Sequence, residues 1–325
     1  MADRGRTRRV LLAGLGGLGL ARGAVAQGGY PDRPVRIIVP FAGGGGNDVL
    51  VRLYGQKLSE RLGQPFVAEN RPGAGGQVGT EQAIRSRPDG YTLVVNPSSP
   101  VLANPGSTEP AYDQTRDLAP IAVLATFPTF VLVAPGSPHR SLQDLLAWAK
   151  EEPGRATYGF GGLSFQFLAE QIAHRAGAKM QAVLYRGSQD AINAVSAGDL
   201  TMALTDPGPA LAALDGKRVR ALAVSTAQRW PRLPEVPTVA EQGFPGLGQA
   251  NWIGLLAPAG TPEPILARLE AAVAEAARAP DVAERLRPMG MEPDGTGRAG
   301  FRAMIEADNR LWREVAKEAG ISLSR

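Results

Sequence analysis

The chain has 325 residues, 44% of them hydrophobic, and a formal net charge of +4. That is enough apolar material for one large core or two ordinary ones. It has no cysteine and only two histidines, His139 and His174, far apart in the chain. Disulfide scaffolds, thiolate metal sites, cysteine nucleophiles and cysteine-linked lipid anchors are thereby excluded, and no metal or cofactor is expected.

Residues 1–26 carry Arg4, Arg6, Arg8, Arg9 and Arg22 against Asp3, which accounts for the whole net charge. The rest balances at zero, so nucleic acid is not an expected partner. Arg8-Arg9 precede a short glycine-rich apolar run, Val10–Leu20, and Ala24-Val25-Ala26 forms a small-x-small cleavage site before Gln27. This order predicts a cleaved export signal over 1–26, of twin-arginine type with general secretory export as the alternative, and a periplasmic mature chain. No stretch reaches the roughly 18 apolar residues of a membrane helix, so the mature chain is not expected to be membrane-inserted.

From there short apolar runs alternate with amphipathic stretches, the βα rhythm of a largely parallel α/β protein. Val35–Val39 predicts a strand, and a helix follows with Asn47 or Asp48 as its cap and Gly63 as its stop. Strands are predicted at 66–69 and 91–95, with a helix over 77–86 between them. The apolar run 122–134 is interrupted by Pro128. Ser141 opens a helix to Glu151; strands follow at 156–160, 183–185, 201–205, 219–225 and 252–258, with helices over 164–175, 188–197 and 207–214. The end reads as helices at 262–278, 280–287 and 297–318. About ten strands strain a single sheet, so two domains are expected, 27–126 with 251–325 and 127–250, joined by crossings near 122–134 and 252–258.

Three glycine-rich loops, 40–48, 70–77 and 159–164, leave strand ends and enter helices. Glycines admit a ligand to the backbone, and the first N–H groups of a helix have no internal partner, so such a loop can hold an anion without Lys or Arg. Gly43, Gly44 and Gly45 are the expected ligand-facing positions, and Asp48 reads more as a helix-capping carboxylate than as a ligand contact. Nucleotide and hydrolase signatures fail: no Gly-Lys-Ser/Thr follows 43–48, 73–79 reads GxGxxxG, and no GxSxG occurs. A hydrolase or lyase is therefore disfavoured, and no enzyme activity is expected.

The loops carry a family resemblance. Tyr30–Phe41, Gly44–Asp48, Glu69–Gly76, Pro88–Leu93, Leu222–Val224, Leu233–Glu241 and Gly254–Pro262 together resemble the tripartite tricarboxylate transporter receptors, or Bug proteins, over 30–320. The resemblance implies an α/β two-domain clamshell of the periplasmic binding type, type II-like. It implies capture of a small carboxylate for delivery to membrane permease subunits, and a monomer is expected. A sensory receptor presenting the closed clamshell to a signalling kinase is the alternative. Carried over, ligand contacts fall on Phe41, Ala42, Gly43, Gly44, Gly45, Asn47 and Asp48, on Ser98 and Ser99, and on Gly161, Gly162, Ser164 and Gln166. The acidic position of the second domain falls on Asp206, with Thr205 the alternative match. The segment Tyr158–Leu168 departs from the family pattern, being one residue shorter with Phe167 in place of the usual His. Phe160, Phe165 and Phe167 there suggest an aromatic wall and an apolar monocarboxylate ligand, with Phe160 reaching the cleft, while Phe165 shares a helix face with Leu168 and Ile172 and reads as core.

Overall fold

The computed structural model describes residues 29–98, 112–248 and 250–318, so the export segment and Ser99 lie outside the described residues. In chain order the elements are β1 (Val35–Val39), α1 (Gly46–Leu62), β2 (Phe66–Asn70), a 3-10 turn (Ala74–Gly76), α2 (Gln77–Ile84) and β3 (Thr92–Pro97). Then come α3 (Gln114–Asp117), β4 (Leu118–Phe127), β5 (Phe130–Val133), α4 (Leu142–Glu151), β6 (Thr157–Phe160) and α5 (Leu163–Ala176). They are followed by β7 (Gln181–Leu184), α6 (Ser188–Ala197), β8 (Met202–Thr205), α7 (Pro207–Asp215) and β9 (Arg220–Val224). The chain ends with β10 (Asn251–Pro258), α8 (Glu263–Ala277), α9 (Pro280–Leu286), a 3-10 turn (Arg287–Met289), β11 (Glu292–Pro293) and α10 (Arg298–Glu318).

The strands form two sheets, each flanked by helices. The first has the order β11-β4-β10-β3-β1-β2 and the second β7-β6-β8-β5-β9. β1 pairs in parallel with β2 and β3, and β6 with β7 and β8. β10 runs antiparallel to β3 and β4, and β5 antiparallel to β8 and β9. The apolar run at 122–134 breaks at Pro128 as the sequence suggests, and its halves enter different sheets. Proline lacks a ladder donor, so the break is where the chain changes lobe.

Burial follows from two-sided cover. Ile37, Ile38 and Val39 are all essentially inaccessible because helices lie on both faces of β1. α1 and α8 pack on one face of the first sheet, and α10 puts Phe301 and Ile305 on the other beside Trp252. Phe301 sits over Gly254 so closely that a Cβ there would lie 2.0 Å from its ring. In the second sheet α4 and α5 cover one face and α6 and α7 the other. The two-residue strand β11 was not foreseen; it is too short to leave a periodic signal.

Between the sheets the chain is held by buried polar groups. Asn251 Nδ2 donates to Thr129 Oγ1 at 2.8 Å, and Ser98 Oγ donates to Asn251 Oδ1 at 3.3 Å. Ser225 Oγ accepts from the Thr129 N–H at 2.8 Å, while the Ser225 N–H donates to Thr129 O. The lobes also touch on two flanks. α10 packs against α5 on one; on the other Gly290 abuts Pro207 and Arg232 Nη1 donates to Pro288 O at 3.1 Å.

Candidate functional site

The loop after β1 forms the first half of the candidate site. Ala42, Gly43, Gly44 and Gly45 are exposed, and Gly44 has a φ of 83°, a left-handed conformation that suits glycine. α1 starts at Gly46 with Gly45 as its N-cap and no side-chain cap, which corrects the expectation that Asn47 or Asp48 would cap it. Asp48 instead lies within the first turn and reaches back, accepting the Gly44 N–H at 2.9 Å and Arg52 Nε at 3.0 Å on one oxygen. Its other oxygen accepts Asn70 Nδ2 at 3.0 Å, and that amide also donates to Phe41 O. The Arg52 guanidinium and these donors hold the Asp48 carboxyl down to about 2. Asp48 is thus a brace that shapes the loop, its lone pairs engaged within the protein. Asn47 is half-buried in the same turn.

The second glycine-rich loop supports the first. A Cβ at Gly76 would lie 3.3 Å from the Phe41 ring, and one at Gly79 2.9 Å from Pro40. This packing explains Gly76 and Gly79 without any ligand.

In the second lobe three strand ends converge. Gly161 lies against Gly187 so tightly that a Cβ would fall 2.4 Å from the Gly187 carbonyl carbon. Ser188 opens α6, and its Oγ accepts the Asp206 N–H at 3.4 Å. Asp206 precedes α7 without capping it by its side chain. Burial pushes its carboxyl upward, with Ser188 partly opposing the shift. The Thr205 hydroxyl is fully buried with no hydrogen-bond partner. Sequence reasoning missed Gly187 and Ser188; the only signal was a Gly-Ser pair opening a helix.

The aromatic wall is corrected. Phe160 is 3% exposed, packs on Tyr158 with ring centroids 5.7 Å apart, and belongs with Phe165 to the core under α5. It fails as a cleft residue because its strand end is roofed by the following helix. Phe167 is the phenylalanine that reaches an interlobe space, a cavity of about 60 Å³. Ser98 and Ser164 line it, with Thr129, Gln171, Asn251 and Asp308, and among the described residues its lining contains no Lys or Arg. Ser98 is nonetheless tied down, its hydroxyl accepting the Trp252 N–H at 3.1 Å while it donates to Asn251. Gly162 and Gln166 lie half-buried at the start of α5.

The two halves meet on the opposite flank. A Cβ at Gly46 would lie 2.8 Å from Met291 Cε, and one at Gly290 2.3 Å from Pro207 Cβ. Residues 290–291 therefore bridge the start of α1 in one lobe to the start of α7, beside Asp206, in the other. The structure thus brings Ser98 together with Ser164, and Gly43–Asp48 to one end of a short bridge whose other end is Asp206. Among the described residues no cluster of three or more His, Asp or Glu could hold a metal ion, and no helix is long and apolar enough to cross a membrane.

Two α/β lobes, strands crossing between them and polar loops at the facing strand ends define a clamshell binding protein. Residues 50–321 match the tripartite tricarboxylate transporter family receptor, and the chain belongs to that family. It is 33% identical over 298 residues to the protein BugT of Bordetella pertussis, covering 90% of this chain and 91% of that one. Among solved structures it resembles Rpa4515 of R. palustris with adipate (32% identity, TM-score 0.77, covering 90% of this chain and 99% of that one). It also resembles MatC of Rhodopseudomonas palustris with bound malate (29% identity, TM-score 0.75, covering 88% and 99%).

Proposed function

We propose that this protein is an exported periplasmic receptor that holds a small carboxylate between its lobes and delivers it, chemically unchanged, to the permease subunits of a tripartite tricarboxylate-type transporter. The lobes are 27–126 with 251–325 and 127–250, and the receptor acts as a monomer. The observation that carries this reading is the loop 42–45. It is exposed, it precedes a 17-residue helix with no side-chain cap, and the nearest acid, Asp48, is engaged in bracing it. Such a loop offers backbone N–H groups and a helix dipole to an anion. The adipate and malate bound by the two solved relatives point to aliphatic acids, in keeping with the burial of Phe160 and Phe165.

A thermal-shift series with adipate, malate and benzoate tests the reading. Ligand at a hundredfold excess over its dissociation constant stabilises by about 2.7 kcal/mol, which is visible as a higher melting temperature. Adipate or malate should raise it and be recovered intact, and Gly44→Val should abolish the response. A protein that no carboxylate stabilises, or that turns one over, is not this receptor.

A further inference from the structure

We propose that the contact between α10 and α5 is an acid-tightened latch, with Asp308 taking up a proton as the lobes close. The inference rests on the receptor reading, since it concerns the closing of the same cleft. Asp308 lies on α10, packed with the first sheet, and its Oδ2 accepts the indole N–H of Trp252 at 2.6 Å. Trp252 is the second residue of β10, just after the chain has crossed between lobes, and its ring meets Phe301 edge-on at 4.9 Å. Asp308 and Leu311 make one wall of the interlobe cavity; Ser164, Phe167, Leu168 and Gln171 of α5 make the facing wall. The walls belong to different lobes, so separating them admits water to Asp308.

Among the described residues no cation lines the cavity to offset the charge. Among the described residues the lining holds no Lys, Arg or His, and Gly246, Leu247, Gly248, Ala250 and Asn251 contribute only neutral groups. The ionisable residues of the helices packed around Asp308 are Arg302, Glu306, Arg310, Arg313 and Glu314 on α10, Glu170, His174 and Arg175 on α5, and Arg116 and Asp117 on α3, which pair with each other. None lines the cavity. Glu170 accepts the Tyr158 hydroxyl, and Arg175 donates to Pro245 O at 2.7 Å. Burial raises the Asp308 carboxyl to about 6, with the Trp252 indole acting in the opposite sense. The sign follows. A carboxylate whose affinity for protons is higher in the closed form makes closure more favourable as pH falls through about 6. The gain is complete near 3.8, the value of a hydrated Asp.

The test compares wild type with Asp308→Asn, which keeps an oxygen for Trp252 but cannot ionise. Adipate and malate are titrated calorimetrically at pH 5 and pH 7, and X-ray scattering of ligand-free protein is recorded at both. Wild type should gain about tenfold in affinity at pH 5 over whatever change Asp308→Asn shows, because both proteins see the same ligand titration. Ligand-free wild type should become more compact at pH 5 and Asp308→Asn should not. Parallel pH profiles in the two proteins, with unchanged scattering, would overturn the latch while leaving the receptor reading intact. If neither acid binds at any pH, scattering of ligand-free wild type and Asp308→Asn decides the latch, and the thermal-shift series decides the receptor reading. Gln171→Glu places a second acid on the facing wall and should steepen the pH dependence; an unaltered profile would overturn the proposal even if Asp308→Asn fails to fold.

Discussion

Asn251 and Thr129 face each other across the two crossings between the sheets, joined by a 2.8 Å hydrogen bond although 122 residues apart in sequence. Both are buried, and Asn251 is shared with Ser98, the last described residue before position 99. A hinge needs segments whose polar groups stay paired while the lobes move, because an unpaired buried group costs more than the bond contributes. Asn251→Ala strands the Thr129 hydroxyl and leaves the Ser98 hydroxyl only the bond it accepts from the Trp252 N–H. It should lower stability by about 1–3 kcal/mol, read as a lower urea midpoint at an unchanged m-value. A midpoint equal to wild type would show that water satisfies these groups.

Asp48 carries a pH prediction. Its carboxyl is lowered from 3.8 to about 2 in the folded protein by Arg52, the Gly44 N–H and Asn70. A depressed carboxyl contributes stability that is fully present above its unfolded value and lost as pH falls toward the folded one. Wild type should therefore lose about 1–2 kcal/mol relative to Asp48→Asn between pH 4 and pH 2, a figure reduced for the exposure of Arg52. Acid unfolding followed by circular dichroism measures it. At neutral pH the same substitution should weaken carboxylate binding, since the Gly44 loop loses its brace. A variant that binds as wild type does would show that the loop holds its shape unaided.

Much of this architecture was readable beforehand because its causes are local. The run Val35–Val39, the glycines behind it, the stop at Gly63 and the break at Pro128 each act within a few residues. Ser141 caps α4 as its position suggested, its hydroxyl accepting the Asp144 N–H. What escaped reading depends on distant approach. Nothing near Met291 in sequence says that it lies on Gly46, and nothing near Asp308 announces Trp252, 56 residues away. Phe160 was misread because a strand-end aromatic looks the same in sequence whether it faces a cleft or a roofing helix. The helix that covers it places Phe165 and Leu168 in the same core.

That correction yields its own expectation. Phe160→Ala should cost about 3–5 kcal/mol of stability, the usual range for a buried phenylalanine, with little effect on which acids bind once the folded fraction is taken into account. A competition series of adipate, malate and benzoate on the folded variant checks it. A changed order of preference with unchanged stability would return Phe160 to the cleft.

The bridge at Gly290 can be separated from ordinary backbone strain by a matched pair. Gly290 and Gly63 share a φ of 77°, so alanine at either forces an L-residue into the left-handed region at a cost of about 1 kcal/mol. At Gly63 the new Cβ would meet nothing within 4 Å, whereas at Gly290 it would lie 2.3 Å from Pro207 Cβ in the other lobe. Gly63→Ala should therefore lower the melting temperature and leave affinity unchanged. Gly290→Ala should lower it comparably and weaken carboxylate binding as well, because the clash is relieved by holding the start of α7 away from the start of α1. Pro207→Ala keeps the Cβ that makes the nearest contact, so it should restore little of the lost affinity to Gly290→Ala. If both glycine variants bind as wild type does, the 290–291 contact has no part in setting how closely the two lobes meet.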